Sequence, residues 1–342
     1  MTGKVHVRAG IVGVGRHGSR YARHAATDVE GIELVAISRR NRAEGEKLAR
    51  ELGCDFTDSA LDLVRREDID TVILVTVPNL LPELVAAAVG AGKRLLIEKP
   101  VAADLDAGRT ILGALEASGT YCLAGHTLRL NAAVAALRRE LPSLGRIDSF
   151  LFSQRFPPQL SIDWLDDPSR SGGGNILHTG VHCFDLLQWL SGFRVSSVCA
   201  RARSIYTRGT EDSFIASLVL EGSTAMAQVA CSRTTDSRNG LIEVSGERGQ
   251  LIVDHVLGTG YRIGPRGREN LAIEPARMTV RELLEQLVRD VSSGAGPAIP
   301  YVEALSAVAV ADACYRSIAS HSFESVKPVS SATTGNTGTP GA

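Results

Sequence analysis

The run Gly13-Val14-Gly15-Arg16-His17-Gly18 stands between an apolar segment, Val5 to Val12, and a helical pattern from Ser19 to about Thr27. In a strand–loop–helix setting the first glycine makes the tight turn, the second lets backbone approach a pyrophosphate, and the third lets the helix pack closely on the strand. The phosphates then sit at the helix N-terminus. Such a loop commits the start of the chain to a parallel α/β sheet that holds a dinucleotide, with Gly13, Gly15, Arg16, His17 and Gly18 as contacts. In a chain of 34 glycines the pattern alone is weak, and its position between strand and helix gives it weight.

The second strand, Ile32 to Ile37, ends in Ser38-Arg39-Arg40, about 20 residues past the glycines, where an enzyme using NAD usually carries an acid for the ribose hydroxyls. No acid stands there. A hydroxyl and two guanidinium groups suit a 2′-phosphate, so Ser38, Arg39 and Arg40 predict NADP(H) over NAD(H). The alternative is that both arginines are solvated loop charges.

Helices at about 42–52, 59–66, 82–91 and 105–118 then alternate with strands at 71–76, 95–98 and 121–124. Strands separated by helices of this length make a doubly wound parallel sheet. Thr76, Pro78 and Asn79 lie at one strand end and are expected along the cofactor edge. At another, Glu98-Lys99-Pro100 follows the buried run Leu95 to Ile97, and the proline stops the strand. Glu98 and Lys99 are thereby set at the carboxyl edge, where open α/β sheets bind ligands. An isolated Glu-Lys-Pro reads first as a surface lysine at a strand end, and it is the sequence before and after it that reverses this.

From about Gly125 the pattern changes. A helix near 132–141 is followed by strand candidates at 147–156, 195–205, 214–220, 225–231, 241–245 and 250–254, joined in part by short turns. This predicts a mostly antiparallel sheet in an α+β domain, closed by helices at about 280–291 and 301–320. The expected organisation is a Rossmann domain over residues 1–124, a substrate-binding and oligomerisation domain over 125–329, and a disordered tail over 330–342, which is rich in Ser, Thr, Gly and Pro.

A single helix interrupts these strands. It follows Gly172-Gly173-Gly174 and sets His178, His182 and Asp185 at helical spacing on one face, beside an apolar side of Leu177, Val181, Phe184 and Leu187. A lone histidine reads as a satisfied structural residue, but two on one face after a glycine-rich loop point to a functional role; Asp185 either joins them or holds the helix in place. His178-x-x-x-His182 with Asp185 also has the spacing of a zinc site, although the glutamate of His-Glu-x-x-His is absent.

At 342 residues the chain is long enough for two cores. Its net charge of −1 gives no basic field for nucleic acid or an anionic membrane. The six cysteines lack paired spacing and fit reduced thiols, no apolar run reaches membrane-spanning length, and no apolar signal core precedes the first strand. A cytoplasmic location is expected.

With the glycine loop, Glu98-Lys99-Pro100 and Gly180-x-His182-x-x-Asp185 in the same order, the chain resembles the glucose-fructose oxidoreductase, inositol dehydrogenase and rhizopine-catabolism (Gfo/Idh/MocA) family over about Val5 to Pro328. The resemblance implies reversible hydride transfer between a nicotinamide and a secondary alcohol or ketone of a sugar, polyol or related small molecule. It further implies a homodimer or homotetramer formed through the second sheet, and a Lys99-Pro100 bond that is often cis. Lys99 would hydrogen-bond the reacting oxygen and His182 would take its proton. Where relatives commonly carry aspartate this chain has His178, which either contacts substrate or takes the base role. Arg129, Arg155 and Trp164 are candidate substrate contacts, each with a structural role as the alternative. A non-catalytic NADP-binding sensor, its chemistry lost at His178, is the remaining reading.

Overall fold

The computed structural model describes residues 7–158 and 163–329. The strand expected from Val5 and the tail from 330 onward extend outside the described residues. The first sheet is built from β1 (Val7–Val12), β2 (Ile32–Ser38), β3 (Asp55–Thr57), β4 (Thr71–Leu74), β5 (Arg94–Glu98) and β6 (Cys122–Gly125). Its strand order is β3-β2-β1-β4-β5-β6, parallel throughout. The order reverses beside β1, which opens a crevice at the carboxyl ends of β1 and β4.

Around it lie α1 (Gly18–Thr27), α2 (Arg42–Leu52), α3 (Ala60–Arg65), α4 (Leu81–Gly90) and α5 (Leu105–Ser118). Their starts are set by side chains: Asn41, Ser59 and Asp104 each accept a backbone N–H of the first turn. Ile11, Ile73, Leu74, Leu95, Leu96 and Ile97 are fully buried, as a sheet covered on both faces requires. The expected strands and helices appear within a few residues of their predicted ends. β3 was not expected: three residues show no periodicity.

The second half contains α6 (Ala132–Glu140), β7 (Ile147–Arg155), α7 (Pro168–Ser171), α8 (Val181–Ser191), β8 (Val195–Arg203), β9 (Ser213–Leu220), β10 (Met226–Ser232), β11 (Asn239–Gly246), β12 (Gly249–Asp254), β13 (Thr259–Gly264), β14 (Gly267–Asn270), α9 (Thr279–Ser293), α10 (Tyr301–Ser320) and β15 (Glu324–Ser325). The nine strands form one sheet ordered β14-β13-β12-β11-β7-β10-β9-β8-β15, antiparallel except where β7 meets β10. β13, β14 and β15 escaped the sequence reading because they are short, polar or rich in glycine.

Alternation decides the faces. Phe150, Phe152, Phe214, Ala216, Val229, Ile242 and Val244 turn to the helices, whereas Leu151, Ile215, Val219, Met226 and Leu241 are exposed on the other side.

The last helices tie the two sheets together. α9 packs on α1, and α10 packs on α5, α8 and β8. Tyr121 donates to Asp290 (2.9 Å), and Tyr301 donates to the carbonyl of Val101 (3.0 Å). Packing therefore returns residues beyond 279 to the first sheet. Among the described residues no helix is long and apolar enough to cross a membrane.

Candidate active site

The glycine loop has the geometry its spacing predicts. Gly13 has φ +91°, and a Cβ there would lie 2.2 Å from the carbonyl oxygen of Val75. A Cβ on Gly18 would meet the carbonyl oxygen of Gly13 at the same distance, so helix and loop are in backbone contact. Gly15 faces open space, with no atom within 4 Å of a Cβ. Gly13 and Val14 donate to the carbonyl of Ser38 (2.9 and 3.2 Å), which binds the end of β2 to the loop. Thr76 Cα lies 3.2 Å from the Cβ position of Gly13, so the segment containing Thr76, Pro78 and Asn79 borders the same crevice. These residues fit a dinucleotide: a cradle with close backbone below and free space above Gly15.

Three of the expected cofactor contacts, His17, Glu98 and Arg39, are engaged within the protein. His17 Nε2 lies 3.3 Å from Glu98 Oε1, and Tyr21 donates to Glu98 Oε2 (2.6 Å). Glu98 thus fastens the glycine loop to the end of β5. Burial raises its proton affinity, but the hydrogen bond from His17 and the charges of His17 and Lys99 outweigh it and hold the carboxyl below its ordinary value. Arg39 pairs with Glu44 and donates to the carbonyl of Val14 (3.4 Å), which leaves Arg40 as the exposed guanidinium after β2.

Lys99 follows β5 through a cis bond to Pro100, and its Nζ donates to the main-chain carbonyl of His178 (3.0 Å). Residues Ile176–Gly180 form a π-helical turn ahead of α8, a geometry frequent at functional sites. Gly172, Gly173 and Gly174 permit its approach: a Cβ at these positions would lie 2.1 Å from Ala103 O, 2.0 Å from Tyr315 Oη and 2.0 Å from Glu211 O. The loop after Pro100 and the glycine run ahead of the histidine turn are therefore in backbone contact.

His178 Nε2 lies 3.0 Å from the carbonyl of Ser171, which can only accept, so Nε2 carries the proton. Its ring meets Trp164 edge-on at 5.3 Å. His182 Nδ1 is enclosed and meets no hydrogen-bond partner among the described residues. Burial lowers both imidazoles well below their ordinary value, and the charge of Lys99 lowers them further, so both are neutral. Burial also lowers Lys99 itself, with Glu98 opposing and Arg233 adding to the fall.

Asp185 does not stand with the histidines as helical spacing suggested. It accepts Arg129 in a fork, Nε at 2.9 Å and Nη2 at 2.5 Å, while Nη1 of Arg129 reaches Glu303 (2.6 Å). Arg129 is thus committed to a buried ion network. Arg155 lies elsewhere: Gln154 points to Cys183 on α8 (3.4 Å), so alternation turns Arg155 to the opposite face, where it donates to the carbonyls of Gln154 (3.0 Å) and Ala230 (2.7 Å). Among the described residues no three His, Cys, Asp or Glu side chains are grouped to hold a metal ion. The third ligand that the zinc reading needs is the one Arg129 holds.

Three residues went unnoticed in the sequence. His126 follows β6 directly, at the same edge as Lys99; its ring is 6.0 Å from that of His182, and its Nδ1 is 3.6 Å from Asp185. That position was the available signal. Arg233, one past β10, donates to Thr179 Oγ1. His255, one past β12, packs against Gly240, and its buried Nε2 has no partner among the described residues.

Comparison with known proteins bears on this arrangement. Residues 7–126 match the model of an oxidoreductase family with an NAD-binding Rossmann fold, GFO/IDH/MocA, and residues 143–252 match the model of that family's C-terminal domain. An inositol 2-dehydrogenase from Rhizobium meliloti is 25% identical over 331 residues, covering 92% of this chain and 97% of its own. A scyllo-inositol 2-dehydrogenase (NAD(+)) from Bacillus subtilis is 25% identical over 260 residues, 72% of this chain and 73% of its own. In fold, an oxidoreductase domain protein from Kribbella flavida superimposes with a TM-score of 0.85 at 19% identity, over 94% of this chain and all of that one.

Proposed function

Because the chain belongs to the GFO/IDH/MocA oxidoreductase family, we propose that it transfers hydride reversibly between a nicotinamide cofactor and a secondary alcohol or ketone of a sugar, polyol or related compound. The observation that carries this reading is the contact of Lys99 with the His178 carbonyl. It joins the carboxyl edge of the dinucleotide-binding sheet to the turn that presents the histidines.

When bound, the cofactor supplies the hydride acceptor or donor. Gly13, Gly15, Arg16 and Gly18 would hold its phosphates and Thr76, Pro78 and Asn79 would border it, while Glu98 fixes the loop through His17. Lys99 hydrogen-bonds the reacting oxygen. His182, neutral, takes the hydroxyl proton in oxidation and returns it in reduction. His178, whose Nε2–H is engaged by Ser171, and Trp164 at its edge form a wall for substrate.

The finer reading of the cofactor is NADP(H): no carboxylate closes β2, and Arg40 is free to face a 2′-phosphate. A KM lower for NAD⁺ than for NADP⁺ would reverse it, and the Bacillus subtilis relative named for NAD(+) marks that alternative. The exposed apolar residues Leu151, Ile215, Val219 and Met226 share one sheet face and support assembly into a homo-oligomer through it, which light scattering of the purified chain measures.

A panel of polyols, sugars and ketones, followed by absorbance at the reduced-nicotinamide band, tests the reaction. Cofactor-dependent turnover of at least one member is expected. Stoichiometric cofactor binding without turnover across the panel would favour a sensor instead.

A further inference from the structure

Alternation along β10 turns Val229, Cys231 and then Arg233 toward the helices. The guanidinium of Arg233 meets Thr179 Oγ1 through Nη2 (3.0 Å) and Nε (3.3 Å), one residue past His178 in the π-helical turn. Lys99 reaches the carbonyl of His178 from the other sheet. Two cations from separate halves of the molecule therefore converge on two consecutive residues.

Among the described residues neither cation has a carboxylate within ion-pair distance. Glu98 is held by His17 and Tyr21. Glu211, whose charge is felt at Arg233, spends its oxygens on the N–H groups of Gly174 (3.2 Å) and Ile176 (2.7 Å) and on the hydroxyl of Tyr315 (3.1 Å). Burial raises the proton affinity of Glu211, which weakens its claim as a counter-charge. It also lowers Arg233 to about 10, while Lys99 is lowered as well. His178 and His182 are neutral and contribute no negative charge. Partly desolvated cations with only neutral oxygens for partners are unfavourable, and the deficit is one anion beside the substrate cleft.

We infer that Arg233 anchors an anionic group of the substrate, so that the compound acted on between Lys99 and His182 is a hydroxy compound bearing an oxyanion, a sugar acid rather than a neutral polyol. The inference rests on the hydride-transfer reading. In oxidation the alcohol gives its hydroxyl proton to His182 and a hydride to the oxidised nicotinamide, leaving a ketone, and the anionic group is unchanged. A guanidinium fork matches a carboxylate in two hydrogen bonds. The cofactor's own phosphates do not meet this need, because their cradle is the loop between β1 and α1.

The test uses the full chain, with reduced cofactor bound for the affinity arm and oxidised cofactor supplied for the turnover arm. D-Gluconate and D-glucuronate are compared with D-glucose and myo-inositol, and D-glucose 6-phosphate and inorganic phosphate are separate arms. Affinity is read from the fluorescence of bound reduced nicotinamide and turnover from its absorbance. Anionic members are expected to surpass neutral ones by at least about tenfold, and Arg233→Met should reduce that ratio by on the order of 10- to 100-fold through KM, with Arg233→Lys intermediate. Retained cofactor affinity shows that the variant is folded.

Equal or better handling of neutral members, or a loss in Arg233→Met that is alike for both classes, overturns the inference. So does inorganic phosphate binding as tightly as the sugar acids, which marks a free-anion site. If nothing is turned over but the fluorescence ratio behaves as expected, the hydride-transfer reading fails while the anion anchor stands.

Discussion

Lys99 Nζ lies 3.0 Å from the main-chain oxygen of His178, a hydrogen bond between residues 79 apart in sequence that closes one sheet against the other. The same ammonium lowers the proton affinity of both His178 and His182. Lys99→Met should therefore reduce kcat by about 10²- to 10⁴-fold by removing a hydrogen-bond donor to the reacting oxygen. Dinucleotide affinity should stay within a few-fold of wild type, since the glycine loop is anchored by Glu98. Steady-state rates with fluorescence titration of the cofactor read both quantities, and unchanged kcat would remove Lys99 from the chemistry.

The two histidines should separate by their surroundings. His178 has its Nε2–H held by the carbonyl of Ser171, while His182 has an enclosed Nδ1 with no partner among the described residues. His182→Asn is expected to reduce kcat by about 10²-fold or more, and His178→Asn to act more on KM. The opposite division, with kcat falling mainly in His178→Asn, assigns the base role to His178.

The parallel sheet was legible because its buried strands are unbroken apolar runs, such as Leu95 to Ile97, punctuated by Gly13 to Gly18 and by Pro100. The same holds for the edge position of Lys99, which a strand end and a proline specify locally. Asp185 was read among the histidines because spacing reports only the helix that carries it. Arg129, 56 residues away, takes its carboxylate, and no local pattern announces that partner. Arg155 was placed on the correct strand but without its face, which depends on where Gln154 meets α8. His126, Arg233 and His255 lie one residue past strand ends, and only tertiary packing brings His126 to the ring of His182 and Arg233 to Thr179. Contacts made by tertiary packing leave no periodic trace, which is why the fold was easier to read than the lining of the cleft.

Gly15 and Gly18 should fail in different ways. A methyl on Gly18 would meet the carbonyl oxygen of Gly13 at 2.2 Å, whereas one on Gly15 meets nothing within 4 Å. Gly18→Ala is expected to lower the melting temperature by several degrees, from roughly 1–3 kcal/mol of overpacking. Gly15→Ala should melt near wild type yet bind dinucleotide at least about tenfold more weakly, because the methyl occupies the pyrophosphate approach. Calorimetry and cofactor titration on the pair separate the outcomes, and wild-type affinity in Gly15→Ala would place the phosphates elsewhere.

Arg129 and Asp185 are buried and hydrogen-bonded in a fork, so deleting one partner leaves a desolvated charge. Arg129→Met should reduce stability by about 3–5 kcal/mol. Asp185→Asn in that background should recover part of it, because the orphaned carboxylate is neutralised. Urea unfolding of the single and double variants gives the coupling directly, and additive losses would show that the ion pair is not the source.

Acid should weaken the fold through its neutral histidines, and His255 allows the sign to be worked out. Burial holds it at about 4, with Asp254 opposing the shift and Arg238 adding to it. Its unfolded value is about 6.5. Below pH 6.5 the unfolded chain binds a proton that the folded chain refuses until about pH 4, so this group subtracts stability as pH falls through that window and has no effect above it. The slope it contributes is about 1.4 kcal/mol per pH unit. His255→Asn should therefore flatten the fall in urea-unfolding free energy between pH 6.5 and 4 by close to one proton, even if its stability at pH 7.5 is lower than wild type. An undiminished slope would mean that His255 becomes protonated in the folded protein as readily as in the unfolded one.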